Sequence, residues 1–156
     1  MPILCLVRGP VIEPDLSLPE VSVRAERRDV AKRLWRTTAA DGTPFGFELA
    51  KPFQPGDTIL QTAKVRYVLR QIPEPVLSVS LEMASSAAAG LGWALGNLHL
   101  EASTELARLL IADSPAARRL LEKLGLPYVA DAQIFRPGRF TRGPLPAHEF
   151  GPSHQH

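Results

Sequence analysis

The chain has 156 residues, 45% of them apolar, with 18 Lys and Arg against 16 Asp and Glu and a formal net charge of +2. That balance gives no sign of a nucleic-acid or membrane partner held by bulk charge, and the length suits one ordinary domain or two small ones. A single cysteine, Cys5, excludes an intrachain disulfide and a cysteine-based zinc site. Flanked by Ile3, Leu4, Leu6 and Val7, it reads as a small buried hydrophobe.

Fifteen prolines and eleven glycines imply many turns and short elements. The opening MPILCLVRGP has no basic leader and no adequate apolar stretch for a signal peptide. No run approaches the ~18 apolar residues of a membrane span. A cytoplasmic protein is the expectation.

Residues 3–7 read as a first strand and Val21–Ala25 as a second. The stretch Arg24–Arg36 holds six basic and two acidic residues, a pattern read as a solvated strand face and turn. Residues 33–38 and 44–49 alternate apolar and polar around the turn dipeptide Asp41-Gly42, which predicts a hairpin. A turn at Pro55-Gly56-Asp57 leads to strands at Thr58–Gln61 and Val65–Ile72. Six short strands predict an all-β domain, a small sandwich or partial barrel. Trp35, Phe45 and Phe47 belong to its core.

Pro73-Glu74-Pro75 reads as a stiff linker. Beyond it come a strand at Val76–Ser80 and a helix over residues 84–95 that closes at Gly96-Asn97, residue types suited to a left-handed ending. Gly90 and Gly92 weaken that helix and point to another backbone packed closely on it. Ser114 is an N-cap with Pro115 at the first helical position; Leu120, Leu121 and Leu124 form one face, and Gly125 ends that helix. Tyr128–Phe135 reads as a closing strand. Residues 104–112 are open between helix, which propensity favours, and strand. Strands near 98–102 and 107–111 would give the order βαββαβ, the ferredoxin-like split βαβ. The Pro-, Gly- and Arg-rich region from Arg136 reads as a mobile tail.

His99 is the only histidine before residue 148; His148, His154 and His156 all fall in the last nine residues. A lone histidine at the end of an apolar helix is ordinarily structural, held in a hydrogen bond. Here it sits inside Leu95-Gly96-Asn97-Leu98-His99-Leu100. Together with Lys32-Arg33, Arg36-Thr37-Thr38, Asp41-Gly42, Phe45-Gly46-Phe47, Leu49, Gly56-Asp57, Glu74-Pro75-Val76-Leu77 and Leu124-Gly125, in that order along residues 1–135, this segment resembles the UreE family. These are urease accessory proteins that act as nickel metallochaperones. The pattern departs from the family at Leu98, where an arginine is usual, and at Glu101, where a proline is often found.

The resemblance implies an α+β protein: an N-terminal all-β domain (1–73), a ferredoxin-like βαββαβ domain that binds metal and dimerises (74–137), and a flexible, histidine-bearing tail (138–156). It decides the open segment in favour of strands near 98–102 and 107–111 and puts His99 at a homodimer interface where two copies share a metal. The resemblance implies His99 as the shared ligand; the tail could complete the shell, with His154 and His156 two residues apart and able to chelate one ion, His148 as an extra ligand, and Glu101 or Glu149 as weaker oxygen donors. The implied metal is Ni²⁺, with Zn²⁺ or Cu²⁺ as substitutes in vitro, since nitrogen-rich sites suit all three. Imidazole, with an ordinary pKa near ~6.5, is mostly neutral and free to coordinate at cytoplasmic pH. The implied partners are the urease-maturation GTPase (UreG) and the urease apoprotein in complex with the other accessory proteins.

An enzyme is not expected. There is no Walker loop, no G-x-G-x-x-G, and no histidine paired with a nucleophile outside the tail. An RNA-binding module of the same fold would need exposed aromatics on its central strands, and Val76–Ser80 has none. The competing expectation is a metal-independent, protein-binding adaptor built on the N-terminal β domain.

Overall fold

Short alternating runs punctuated by turn dipeptides shape the first half of the chain, and helix-forming runs between two hairpin-like strands shape the second. The computed structural model describes residues 3–140 and the strand 148–149. The chain divides into two compact units, Met1–Ile72 and Pro73–His156.

The first unit contains β1 (Cys5–Val7), β2 (Glu20–Ala25), α1 (Arg27–Val30), β3 (Leu34–Thr38), β4 (Pro44–Glu48), β5 (Thr58–Gln61) and β6 (Arg66–Gln71). They form two three-stranded sheets, ordered β1-β4-β3 and β2-β6-β5. β1 runs parallel to β4, and β2 runs parallel to β6. The β3–β4 hairpin turns at Asp41-Gly42, where Gly42 has φ +87° and Asp41 Oδ1 accepts the Thr43 N–H at 3.0 Å. Tyr67 Oη donates to Asp41 Oδ2 at 2.8 Å and so ties that turn to β6. Trp35, Phe45 and Phe47 are buried as expected, joined by Phe53 and Tyr67. Trp35 and Phe47 lie 4.4 Å apart between centroids, and Phe53 meets Phe47 edge-on at 5.4 Å. One detail differs from the strand-and-turn reading of the basic stretch. Arg27–Val30 makes a single helical turn, started by the Glu26 carbonyl and anchored by buried Val30.

The second unit contains β7 (Glu74–Ser80), α2 (Ser85–Asn97), β8 (Ala102–Glu105), β9 (Arg108–Ala112), α3 (Pro115–Leu124), β10 (Val129–Gln133), β11 (Arg139–Phe140) and β12 (His148–Glu149). Its main sheet is ordered β10-β7-β9-β8, all neighbours antiparallel. This is the ferredoxin-like βαββαβ arrangement, and the open segment at 104–112 is a hairpin, not a helix. Helix propensity there gives way to the pairing of β9 with both β7 and β8. The supposed linker is also corrected: Glu74 and Pro75 begin β7. Proline is tolerated there because the β7–β9 ladder starts only at Val76, and the Pro75 carbonyl accepts the Asp113 N–H at 3.1 Å.

Alternation gives the sheet two different faces. Leu77 and Val79 of β7 and Leu109 and Ile111 of β9 face Leu91 and Leu95 of α2 and Ala117 and Leu121 of α3. Ser114 caps α3 as expected, its Oγ accepting the Ala117 N–H at 3.1 Å. Leu124, expected on the buried face, is 45% exposed. Arg118 grips Asp113 with two bonds of 2.8 and 2.7 Å. The same guanidinium lies 5.8 Å over the Tyr128 ring, clasping both ends of α3.

Val76 and Leu110 point to the opposite face and are covered by Phe135, which is fully buried. The closing strand is therefore shorter than residues 128–135, because Phe135 leaves β10 to cover this second face. The chain then crosses to the far edge of the sheet, where the Gly138 N–H donates to the Ala102 carbonyl at 2.8 Å. The first residues of the region read as a tail run along the sheet in this way, through Phe140. No helix among the described residues is long and apolar enough to cross a membrane.

Candidate metal centre

The exit of α2 is built from backbone geometry. Its last residues, Gly96 and Asn97, stay helical, contrary to the expectation that they close the helix left-handed. The left-handed residue is His99 itself, at φ +54°. Three bonds fix the reversal: Leu98 N–H to the Ala94 carbonyl at 3.2 Å, His99 N–H to Gly96 at 3.0 Å and Leu100 N–H to Leu95 at 3.0 Å. The last two are the paired bonds of a Schellman closure, in which one left-handed residue lets the chain satisfy the carbonyls of the final turn. Leu100 then folds back onto the core beside Leu91 and Leu95.

The same closure recurs at α3. Gly125, at φ +67°, donates to Glu122 at 3.1 Å, and Leu126 donates to Leu121 at 2.9 Å. Glycine holds the position there without a Cβ penalty. At α2 the position carries an imidazole instead.

That imidazole is exposed and has no hydrogen bond or ion pair among the described residues, so the structural role of a histidine caught in a hydrogen bond does not apply. The surroundings favour a cation. The negative end of the α2 dipole lies at this exit, and the helix has no basic residue in its last turn. No group of three or more His, Cys, Asp and Glu side chains gathers among the described residues, so His99 alone is too few donors for a metal ion.

Of the other candidate ligands, His148 belongs to β12, opposite Phe140 of β11. β11 follows Gly138, which is bonded to Ala102, the first residue of β8 and three residues on from His99. The fold thus leads the His148-bearing strand to the sheet edge that begins beside His99. The side chains of His148 and Glu149, and the whole of His154 and His156, lie outside the described residues. Glu101 sits between His99 and β8, its carbonyl accepting the Ala112 N–H at 3.2 Å.

The outer face of α2 is the other notable feature. The close backbone contact expected on Gly90 and Gly92 is absent among the described residues: nothing lies within 4 Å of a Cβ built at Gly90, Gly92 or Gly96. Trp93 stands on this face 72% exposed, and Leu98 is 49% exposed beside His99. From Ser85 to Leu100 there is no charged side chain. Sequence reasoning missed both the left-handed histidine and the exposed tryptophan. The first could have been read from the Leu95–Leu100 apolar pair that accompanies a Schellman closure.

The fold defines the class: a ferredoxin-like α+β unit following an all-β one. The family model for the C-terminal domain of the UreE urease accessory protein matches residues 74–156, more than half of the chain, and the chain belongs to that family. The members are chaperones of urease, not enzymes, and they generally bind nickel. Compared with curated proteins, the chain finds no match.

Proposed function

We propose that this protein is a nickel carrier for urease maturation, working as a homodimer in which two copies of His99 hold one ion between them. The observation that carries this reading is the exposed, unpartnered imidazole fixed at a left-handed helix exit. A two-fold axis through the open α2 face would bring one His99 from each copy to the same point, because an isologous contact repeats every residue across the axis. The uncharged face supports such self-association, since a charged one would meet its own sign. Trp93 and the bare glycines supply an apolar knob and low shoulders for it.

Two imidazoles make half of a four-coordinate shell. His148, with His154 and His156 beyond it, completes the shell in this reading, and the route of the chain along β8 supports the part of His148. A shell finished by a late segment of the chain can also be opened by it, as a carrier requires. The ion is cargo, passed by family resemblance to the urease-maturation GTPase and from there to the urease apoprotein with its other accessory proteins, in the cytoplasm.

The test is isothermal titration of Ni²⁺ and Zn²⁺ into the native chain, His99→Ala and a chain ending at Ala147, with the mass followed by light scattering. About one nickel per dimer, lost in His99→Ala, is the expected result, and the truncated chain should bind more weakly. Nickel binding by His99→Ala equal to that of the native chain would overturn the shared site.

A further inference from the structure

The main sheet of the second unit has two edges, and the chain treats them differently. At β8 the crossing segment lies alongside, with the Gly138 N–H bonded to the Ala102 carbonyl at 2.8 Å. On the outer side of β10 no strand pairs among the described residues. Residues 129–132 are all exposed, Val129 to 66%. A bare row of main-chain donors and acceptors is a template for a further strand.

The ladder decides which groups face out. Ala132 stands opposite Pro75, and the Pro75 carbonyl is turned the other way, to the Asp113 N–H at 3.1 Å. Ala132 and Pro75 are therefore a non-hydrogen-bonded pair, and by alternation the main-chain groups of both Ala130 and Ala132 point away from β7. The Ala132 N–H is not bare, however: Asp131 Oδ1 accepts it at 2.8 Å. That carboxylate is held from behind. Its Oδ2 accepts Gln133 Nε2 at 2.8 Å, Gln133 Oε1 accepts Arg108 Nη2 at 2.8 Å, and Arg108 Nε donates to Glu105 Oε2 at 2.6 Å. The relay starts at the β8–β9 hairpin and ends on the edge of β10.

We propose that Asp131 locks the outer edge of β10 against strand addition by a second copy of this chain. The strand's own sequence singles out that occupant. Val129-Ala130-Asp131-Ala132-Gln133, paired antiparallel with itself about Asp131, sets Ala130 opposite Ala132, two small residues whose outward groups are in register to exchange bonds. Asp131 opposes that register twice. It occupies the Ala132 N–H in each copy, and it sets carboxylate against carboxylate on the axis, where directly opposed like charges are destabilising. A two-fold contact at β10, added to one at the α2 face, would link dimers into chains that do not close. That consequence rests on the α2 contact of the carrier reading; the lock itself does not.

The test uses the full chain with a chelator present, so that nickel plays no part. In the native protein the Ala132 amide, corrected for intrinsic rates, should exchange about fivefold more slowly than the Ala130 amide, which is as exposed but has no carboxylate on it. Asp131→Val removes both the acceptor and the charge, and its weight-average mass by light scattering should rise with concentration to about double the native value or more. Adding Ala132→Pro should restore the native mass, because that N–H faces out and its loss breaks no bond to β7. Equal exchange at Ala130 and Ala132, a native mass for Asp131→Val, or self-association that Ala132→Pro leaves in place would each overturn the lock. Failure here leaves the nickel site standing, and failure of the nickel titration leaves the lock standing.

Discussion

His99 occupies a backbone conformation that costs an L-residue roughly 1–2 kcal/mol. Histidine is among the few non-glycine residues enriched there, after asparagine and aspartate. The position thus keeps a ligand at the expense of stability, and the comparison with Gly125 makes this testable. His99→Gly relieves the left-handed strain but returns some chain entropy, a net gain of about 0.5 kcal/mol. We expect its thermal midpoint to rise by about 3 °C while nickel binding disappears. A lower midpoint would show that the side chain makes a stabilising contact. Gly125→Ala at the matching closure should move the other way, losing about 1 kcal/mol in urea unfolding. The sequence showed that a helix ends near His99 but not which residue turns the corner. Gly96 and Asn97 are the usual residues for the task, and they lie one turn too early. The helix runs on because Leu95 and Leu100 must meet on the core side.

At the scale of elements, the strands of the first unit were legible to within a residue or two, because alternation and turn dipeptides are local signals. Residues 102–112 were not. Their strand character comes from partners far along the chain, and their turn at Leu106-Ala107 carries none of the usual hairpin residues. The path of Phe135 was equally hidden, since a single aromatic after a strand does not say which face it covers. Phe135→Ala should cost about 3–5 kcal/mol and speed hydrogen exchange at Gly138, whose N–H depends on the crossing segment. Exchange at Gly138 unchanged from native would mean that Phe135 does not hold that segment in place. Ser114→Ala, which removes only a cap, should cost about 1 kcal/mol.

For the molecule as a whole, the carboxylates with displaced titration all move the same way. Hydrogen bonding to Arg70 holds Glu20 below its ordinary range, and hydrogen bonding to Arg118 does the same for Asp113. The Thr43 N–H and then Tyr67 hold Asp41 low. The folded state therefore binds fewer protons than the unfolded chain in acid. Each group's contribution is present above its unfolded pKa and is lost as pH falls through the lower folded value. The urea midpoint should be nearly flat from about pH 7 to 5 and then drop below about pH 4. A midpoint that holds or rises across that acid range would contradict these pairings. Nickel binding should weaken at milder acidity, because imidazole coordinates only without its proton. The two curves should separate on the pH axis.

The crossing segment also sets a timetable for synthesis. Residues 134–140 leave the ribosome after every strand they cover, and β10, which pairs with the central β7, emerges only shortly before them. At an elongation rate of ~5–20 residues per second, Val76 and Leu110 stay uncovered for seconds after their own strands are complete. The first unit has no such wait, since all its strands precede residue 72. A nascent chain arrested before Phe135 should therefore carry a finished first unit and an unfinished second one, whose bare sheet face is the part most in need of shielding during translation.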